Sequence, residues 1–223
     1  MVLNINGDIV GNELKEAYDY FGFEATCPAD VHAAIEALPE GDMLTVKINS
    51  GGGDVMAGQE IYAALRERSD IRIEIESMAA SAASIIAMAG HASISPIGML
   101  MIHNVSTITA GNKQAMKKQA EILDQFDNAL ASAYIEKTEM TRDEVLKLMD
   151  KETWLPAQRA LELGFVDEIT APAAAGSMTN AFGSMRVTAD MMEEFKAHKA
   201  EEKRKADLKA EILKDLDKFG ERG

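Results

Sequence analysis

Cysteine is nearly missing from this chain: Cys27 is the only one in 223 residues, so no intrachain disulfide can form. The four histidines, His32, His91, His103 and His198, are scattered, and no metal-ligand spacing results. Neither a metal nor any other cofactor is expected. A lone thiol fits a reducing compartment, and a cytoplasmic location is expected. No apolar run approaches the length of a membrane span. The start, Met1 to Gly7, lacks the basic opening and continuous apolar core of a signal peptide. Basic charge is also short, with 23 Lys and Arg against 37 Asp and Glu, a formal charge of −14. The whole excess lies in residues 1–190, and residues 191–223 are neutral. So acidic a body argues against nucleic acid or an anionic membrane as the main partner.

What is present suits a soluble globular chain with 47% apolar residues, enough for one good-sized core plus an appendage. The stretch Glu76 to Ser84 stands out. It follows an alternating run, Ile71 to Glu76, that predicts a strand. It leads into Ser84 to Gly90, apolar and alanine-rich, which predicts a short buried helix. A central serine, Ser81, thus sits where a strand turns into a helix. Small side chains permit a tight turn there, and a helix N-terminus offers free backbone N–H groups. That geometry can expose a hydroxyl and place donors beside it. The same composition also serves close helix packing, and local composition leaves both readings open.

Along the chain, Leu3 to Asn6 predicts a short strand ending in a turn at Gly7 and Asp8. Residues 12–25 give no firm assignment. Asp30 is the expected N-cap of a helix from Val31 to Leu38. Leu44 to Asn49 predicts a strand, and Val55 to Arg68 a helix. Between them lies Ser50-Gly51-Gly52-Gly53-Asp54, bare backbone that can approach a ligand closely. The phosphate-loop pattern is absent, and Asp54 would repel phosphate. Donation to a peptide or an oxyanion fits better; a plain flexible turn is the other reading. Residues 92–95 and 99–103 predict strands around Pro96. Met116, Ala120, Leu123, Phe126, Leu130 and Tyr134 recur at helical spacing within one long helix, 113–137. Thr141 and Glu144 fit a capping box. A helix from Ala157 to Leu163 is closed by Gly164, and residues 165–169 predict a last strand. This alternation of strands and helices predicts an α/β layered domain. Residues 171–189 read as a linker, and 190–223 as a charged helical tail with a narrow stripe of Leu208, Ile212, Leu216 and Phe219.

Four stretches in register resemble one family. They are Asn49 to Val55, Ala79 to Ala83, Met101 to Asn104, and Trp154 to Ala157 followed by Gly164 to Asp167. Together they resemble the proteolytic subunit of the Clp protease (ClpP) family, in its phage and prophage branch, over residues 1–170. The resemblance implies a crotonase-like fold of stacked β-α units and a serine endopeptidase in a self-compartmentalised homo-oligomeric ring, a heptamer or tetradecamer. It implies Ser81 as nucleophile, His103 as general base, and an acidic third member at Glu152, with Asp150 as the other candidate. It implies oxyanion donors at Gly53 and Ala82, with Gly52 and Gly53 lining the substrate. The implied partners are a protein or peptide substrate, and an AAA+ unfoldase or capsid proteins. The chain departs from the pattern in three places. Gly51 stands where the family has proline, Glu152 where it has aspartate, and the pore-gating N-terminal segment has no clear counterpart. A catalytically silent ring or scaffold component, and a crotonase-type acyl-CoA enzyme, are the alternatives.

Overall fold

The computed structural model describes residues 1–170 and 187–220, with side chains as far as residue 209. The first unit is strand β1 (Val2–Ile9), helix α1 (Asn12–Phe21) and the two-residue strand β2 (Ala25–Thr26). Helix α2 (Pro28–Glu36) leads to β3 (Leu44–Gly53), α3 (Val55–Arg66), β4 (Ile71–Ala80) and α4 (Ala82–Ala87). Then come β5 (Ala92–Ile94), β6 (Met99–Ile102), the long α5 (Lys113–Thr138) and α6 (Arg142–Asp150). The body closes with β7 (Thr153–Pro156), α7 (Ala157–Glu162) and β8 (Glu168–Ile169), and α8 (Ala189–Gly220) follows.

The main sheet is parallel in the order β2-β1-β3-β4-β5-β8. Long β4 has two successive partners on one edge. Its first half pairs with β5, and Met78 to Ala80 pair with Met99 to Met101 of β6. Strand β7 then runs antiparallel to β6. The core alternates as a half-covered sheet must. Leu44, Val46 and Ile48 of β3 and Ile71, Ile73 and Ile75 of β4 are buried, as are Ile61 and Leu65 of α3. Every residue of α4 is buried. Its alanines let it pass close to β3 and α3.

Several elements differ from the sequence-based expectation. β1 does not stop at Asn6. Gly7 takes a positive φ of 66° and absorbs a register shift, after which the strand continues to Ile9. Residues 12–25 form α1 and β2. Asp30 is not the N-cap of α2; Cys27 is, and Asp30 at the third helical position accepts the Cys27 N–H at 3.0 Å. Pro28 opens that helix because its missing donor costs nothing there. Residues 153–156 pair as β7, and the last strand shrinks to two residues. The expected long helix and Thr141 capping box are both present. Asp54 also caps α3, a role not read from the sequence, accepting the Ala57 N–H at 2.8 Å. Gly164 ends α7 with φ 78°. Most of the expected linker, and the side chains of Ile212, Leu216 and Phe219, lie outside the described residues. Among the described residues, no helix is long and apolar enough to cross a membrane.

Candidate active site

Strand register alone brings two of the expected residues together. Because Ala80 pairs with Met101, Ser81 and His103 leave the ends of neighbouring strands side by side. The Ser81 N–H donates to the Met101 carbonyl at 3.0 Å, which extends the pairing through the turn. The Ser81 Oγ and His103 Nε2 atoms are 2.7 Å apart. With the ring proton on Nδ1, the hydroxyl donates to Nε2, the orientation that proton transfer needs.

Ser81 is one of three described non-glycine residues with positive φ, at φ 54° and ψ −125°. Such backbone is strained for a side-chain-bearing residue and is held only where its surroundings over-determine it. Here Ser84 Oγ donates to the Ser81 carbonyl at 2.6 Å and lies 2.8 Å from the Tyr134 hydroxyl. Both Ser84 and Tyr134 are fully buried, and burial pushes the Tyr134 phenol far up, so it stays a neutral hydrogen-bonding group. Helix α5 thus braces the turn through two hydroxyls.

The glycine loop closes against the same turn. A Cβ on Gly52 would stand 2.6 Å from the Ala80 carbonyl and 2.7 Å from Ser81 Cβ, and Gly52 has φ 93°. Its N–H is taken by Ser50 Oγ, 3.1 Å away, which in turn donates to the Gly7 carbonyl at 2.6 Å. The Asp54 N–H donates to the Ile9 carbonyl at 2.8 Å. Gly53 between them pairs with Ile9, and a Cβ at this position (φ 152°) would stand 2.1 Å from the Ile9 carbonyl. Ala82 opens α4, so its N–H has no carbonyl partner within the helix.

The acidic candidates are less well placed. Asp150 accepts from Asn104 Nδ2 at 2.9 Å. Exposed Glu152, itself at φ 47°, lies 3.3 Å from the Trp154 indole N–H. Among the described residues neither carboxylate hydrogen-bonds His103. A buried carboxylate that pattern reading passed over lies nearby: Asp127, in mid-α5, is 8% exposed and accepts the Val105 N–H at 2.6 Å. Its only sequence signal is an acid set among the apolar positions of a helix face.

Beyond Gly53 opens a cleft of about 430 Å³, lined by Asp8, Tyr18, Gly53, Asp54, Val55, Val105, Leu123 and Phe126 among others. One wall is the glycine loop and another is the segment following His103. Its mixed apolar and acidic lining can seat a peptide side chain. Among the described residues, no group of three or more His, Cys, Asp or Glu is arranged to hold a metal ion.

Comparison with known proteins gives the family. Residues 30–173 match the Clp protease family model. The chain is 28% identical over 141 residues to the ATP-dependent Clp protease proteolytic subunit 1 of Protochlamydia amoebophila, covering 60% of this chain and 68% of that protein. It is 29% identical over 139 residues to the ATP-dependent Clp protease proteolytic subunit of Bacteroides fragilis, covering 60% and 67%. To the ATP-dependent Clp protease proteolytic subunit 1 of Chlamydia pneumoniae it is 26% identical over 182 residues, covering 73% and 91%. With the family match spanning most of the chain, the chain belongs to the Clp protease family and is a serine-type peptidase.

Proposed function

We propose that the chain is a serine endopeptidase in which Ser81 attacks the peptide carbonyl and His103 takes its proton. The observation that carries this reading is the 2.7 Å contact between Ser81 Oγ and His103 Nε2 at a strained turn. As the Oγ–carbon bond forms, the hydroxyl proton passes to Nε2 and the carbonyl π electrons move to oxygen. The Gly53 and Ala82 N–H groups are the donors for that oxyanion, and removing one such donor typically costs on the order of 100- to 1000-fold in rate. Collapse of the intermediate breaks the C–N bond, and Nε2 returns its proton to the leaving amine. Water, deprotonated by the same imidazole, then releases the acyl group from Ser81.

The assembly we propose is a homo-oligomeric ring enclosing these sites, acting with or without an ATPase partner. The relatives' names carry the words ATP-dependent, which motivates testing such a partner. Its substrates are proteins and peptides, and the resemblance to the phage branch motivates testing capsid and scaffold proteins first. A silent ring component is the second reading, favoured by the lack, among the described residues, of a carboxylate hydrogen-bonded to His103. Cleavage of an unfolded protein substrate by wild type and by Ser81→Ala separates the two. The peptidase reading expects a loss of at least about 10⁴-fold in the variant; equal rates would contradict it.

A further inference from the structure

We propose that Asp127, on α5, is the positioning carboxylate for His103, in the place that the family pattern gives to Glu152. The role presumes the Ser81–His103 pairing of the proposed function. Asp127 is buried at 8% exposure, whereas Glu152 is exposed and turned to the Trp154 indole, and Asp150 is engaged by Asn104. One oxygen of Asp127 clamps the Val105 N–H at 2.6 Å, a short charge-assisted bond. That amide lies two residues beyond His103, so the clamp fixes the course of the chain that carries the imidazole. The other oxygen accepts no hydrogen bond from the described residues.

The charges around Asp127 are those a base needs. Burial raises its carboxyl above the ordinary value, and the carboxylates of Asp124 on the same helix and Asp150 at the end of α6 push the same way. The Val105 amide and, as the smallest contribution, the His103 ring oppose that rise. When His103 gains the hydroxyl proton, a buried anion nearby stabilises the imidazolium far better than an exposed one, because less water screens it. Glutamate at position 152 is then free of the geometric demand that the family pattern places there.

Asp127→Asn tests this because its amide oxygen can keep the Val105 clamp while the charge is lost. The expected result is a fall of about 10- to 100-fold in kcat/KM. The acid limb of the pH profile should also move to lower pH, since a proton on the ring is no longer favoured by the anion. A merely structural role would lower activity without moving that limb. Glu152→Gln alone, at an exposed carboxylate turned to the Trp154 indole, is expected to keep kcat/KM within about threefold of wild type and leave the limb in place. The titration of the His103 ring followed by NMR in each variant reads the same charge without any turnover, so this result stands apart from the peptidase reading. A His103 titration and pH profile unchanged by Asp127→Asn would overturn the proposal. So would their displacement in a folded Glu152→Gln protein, even if Asp127→Asn failed to fold.

Discussion

At the scale of single residues, the site is a set of tight clearances around one strained serine. Strain of this kind costs about 1–3 kcal/mol and must be held by neighbours. Gly52, Ser84 and Tyr134 are those neighbours. Gly52→Ala places a methyl group 2.6 Å from the Ala80 carbonyl and 2.7 Å from Ser81 Cβ, at a positive φ. Backbone atoms cannot swing aside as a side-chain tip can, so the turn itself must shift. The variant is expected to lose about 1–3 kcal/mol of stability in denaturant melts. Its kcat should fall at least about 100-fold while the protein stays folded at 25 °C, because displacement of the nucleophile by an ångström breaks alignment. The meeting of Ser81 and His103 was legible because short motifs in register carry them. The Asp127 contact was not, because it arises where α5 crosses the segment after His103 and joins residues 22 apart in sequence.

At the scale of elements, strand ends do the positioning and a few polar staples hold the outer layers. Lys137 near the end of α5 is one staple. Its ammonium donates to the Gly90 carbonyl at 2.9 Å and pairs with Asp167, whose carboxylate also takes the Ala92 N–H at 2.7 Å. Burial alone would raise the Asp167 carboxyl, but Lys137 and the Ala92 amide outweigh it and hold it below the ordinary value. A depressed folded value means stability that is full above the unfolded carboxyl range, near pH 4, and is lost as pH falls through the folded value. Asp167 is partly solvated, so its share is about 1 kcal/mol or less. Asp167→Asn should therefore be less stable than wild type at pH 7, with the gap closing toward pH 3 in urea melts. The elements with clear periodicity or capping chemistry, β3, β4, α3, α5 and α6, were readable from their residues. The two-residue strand β2 was not, since its pairing depends on a neighbour distant in sequence, and β8 was read three residues too long. Gly7 misled for a local reason: a glycine that ends many strands here only bends one.

At the scale of the whole molecule, the surface is less finished than the core. The second half of α5 buries Leu130, Ala131, Ala133 and Tyr134, but its first half leaves Met116 37% and Ile122 36% exposed. Of the apolar stripe read along this helix, Leu130 and Tyr134 are buried, Leu123 and Phe126 half-buried, and Met116 and Ala120 exposed. A ring built from copies of the chain would cover the remainder, which suits the proposed assembly. Ile122→Lys is expected to shift the mass measured by light scattering toward smaller species without lowering the melting temperature of the single chain. An unchanged mass would remove α5 from the interface. Helix α8 packs on α1 through Phe195, which is 9% exposed and whose ring lies 5.5 Å from that of Tyr20, and through the Lys199–Glu16 ion pair. Leu208 further along is 57% exposed. The sequence pattern marked this tail as helical, but the contact with α1 rests on aromatic residues outside the stripe it singled out.

Intact-mass measurement after incubation with a fluorophosphonate tests the central claim most directly, because the reagent bonds readily to a serine whose proton a neighbour removes and only slowly to one without such a base. One adduct per chain at Ser81 is predicted for wild type, none for Ser81→Ala, and labelling slowed at least about 100-fold for His103→Ala. A wild-type protein that stays unlabelled, or one labelled equally fast without His103, would contradict the account.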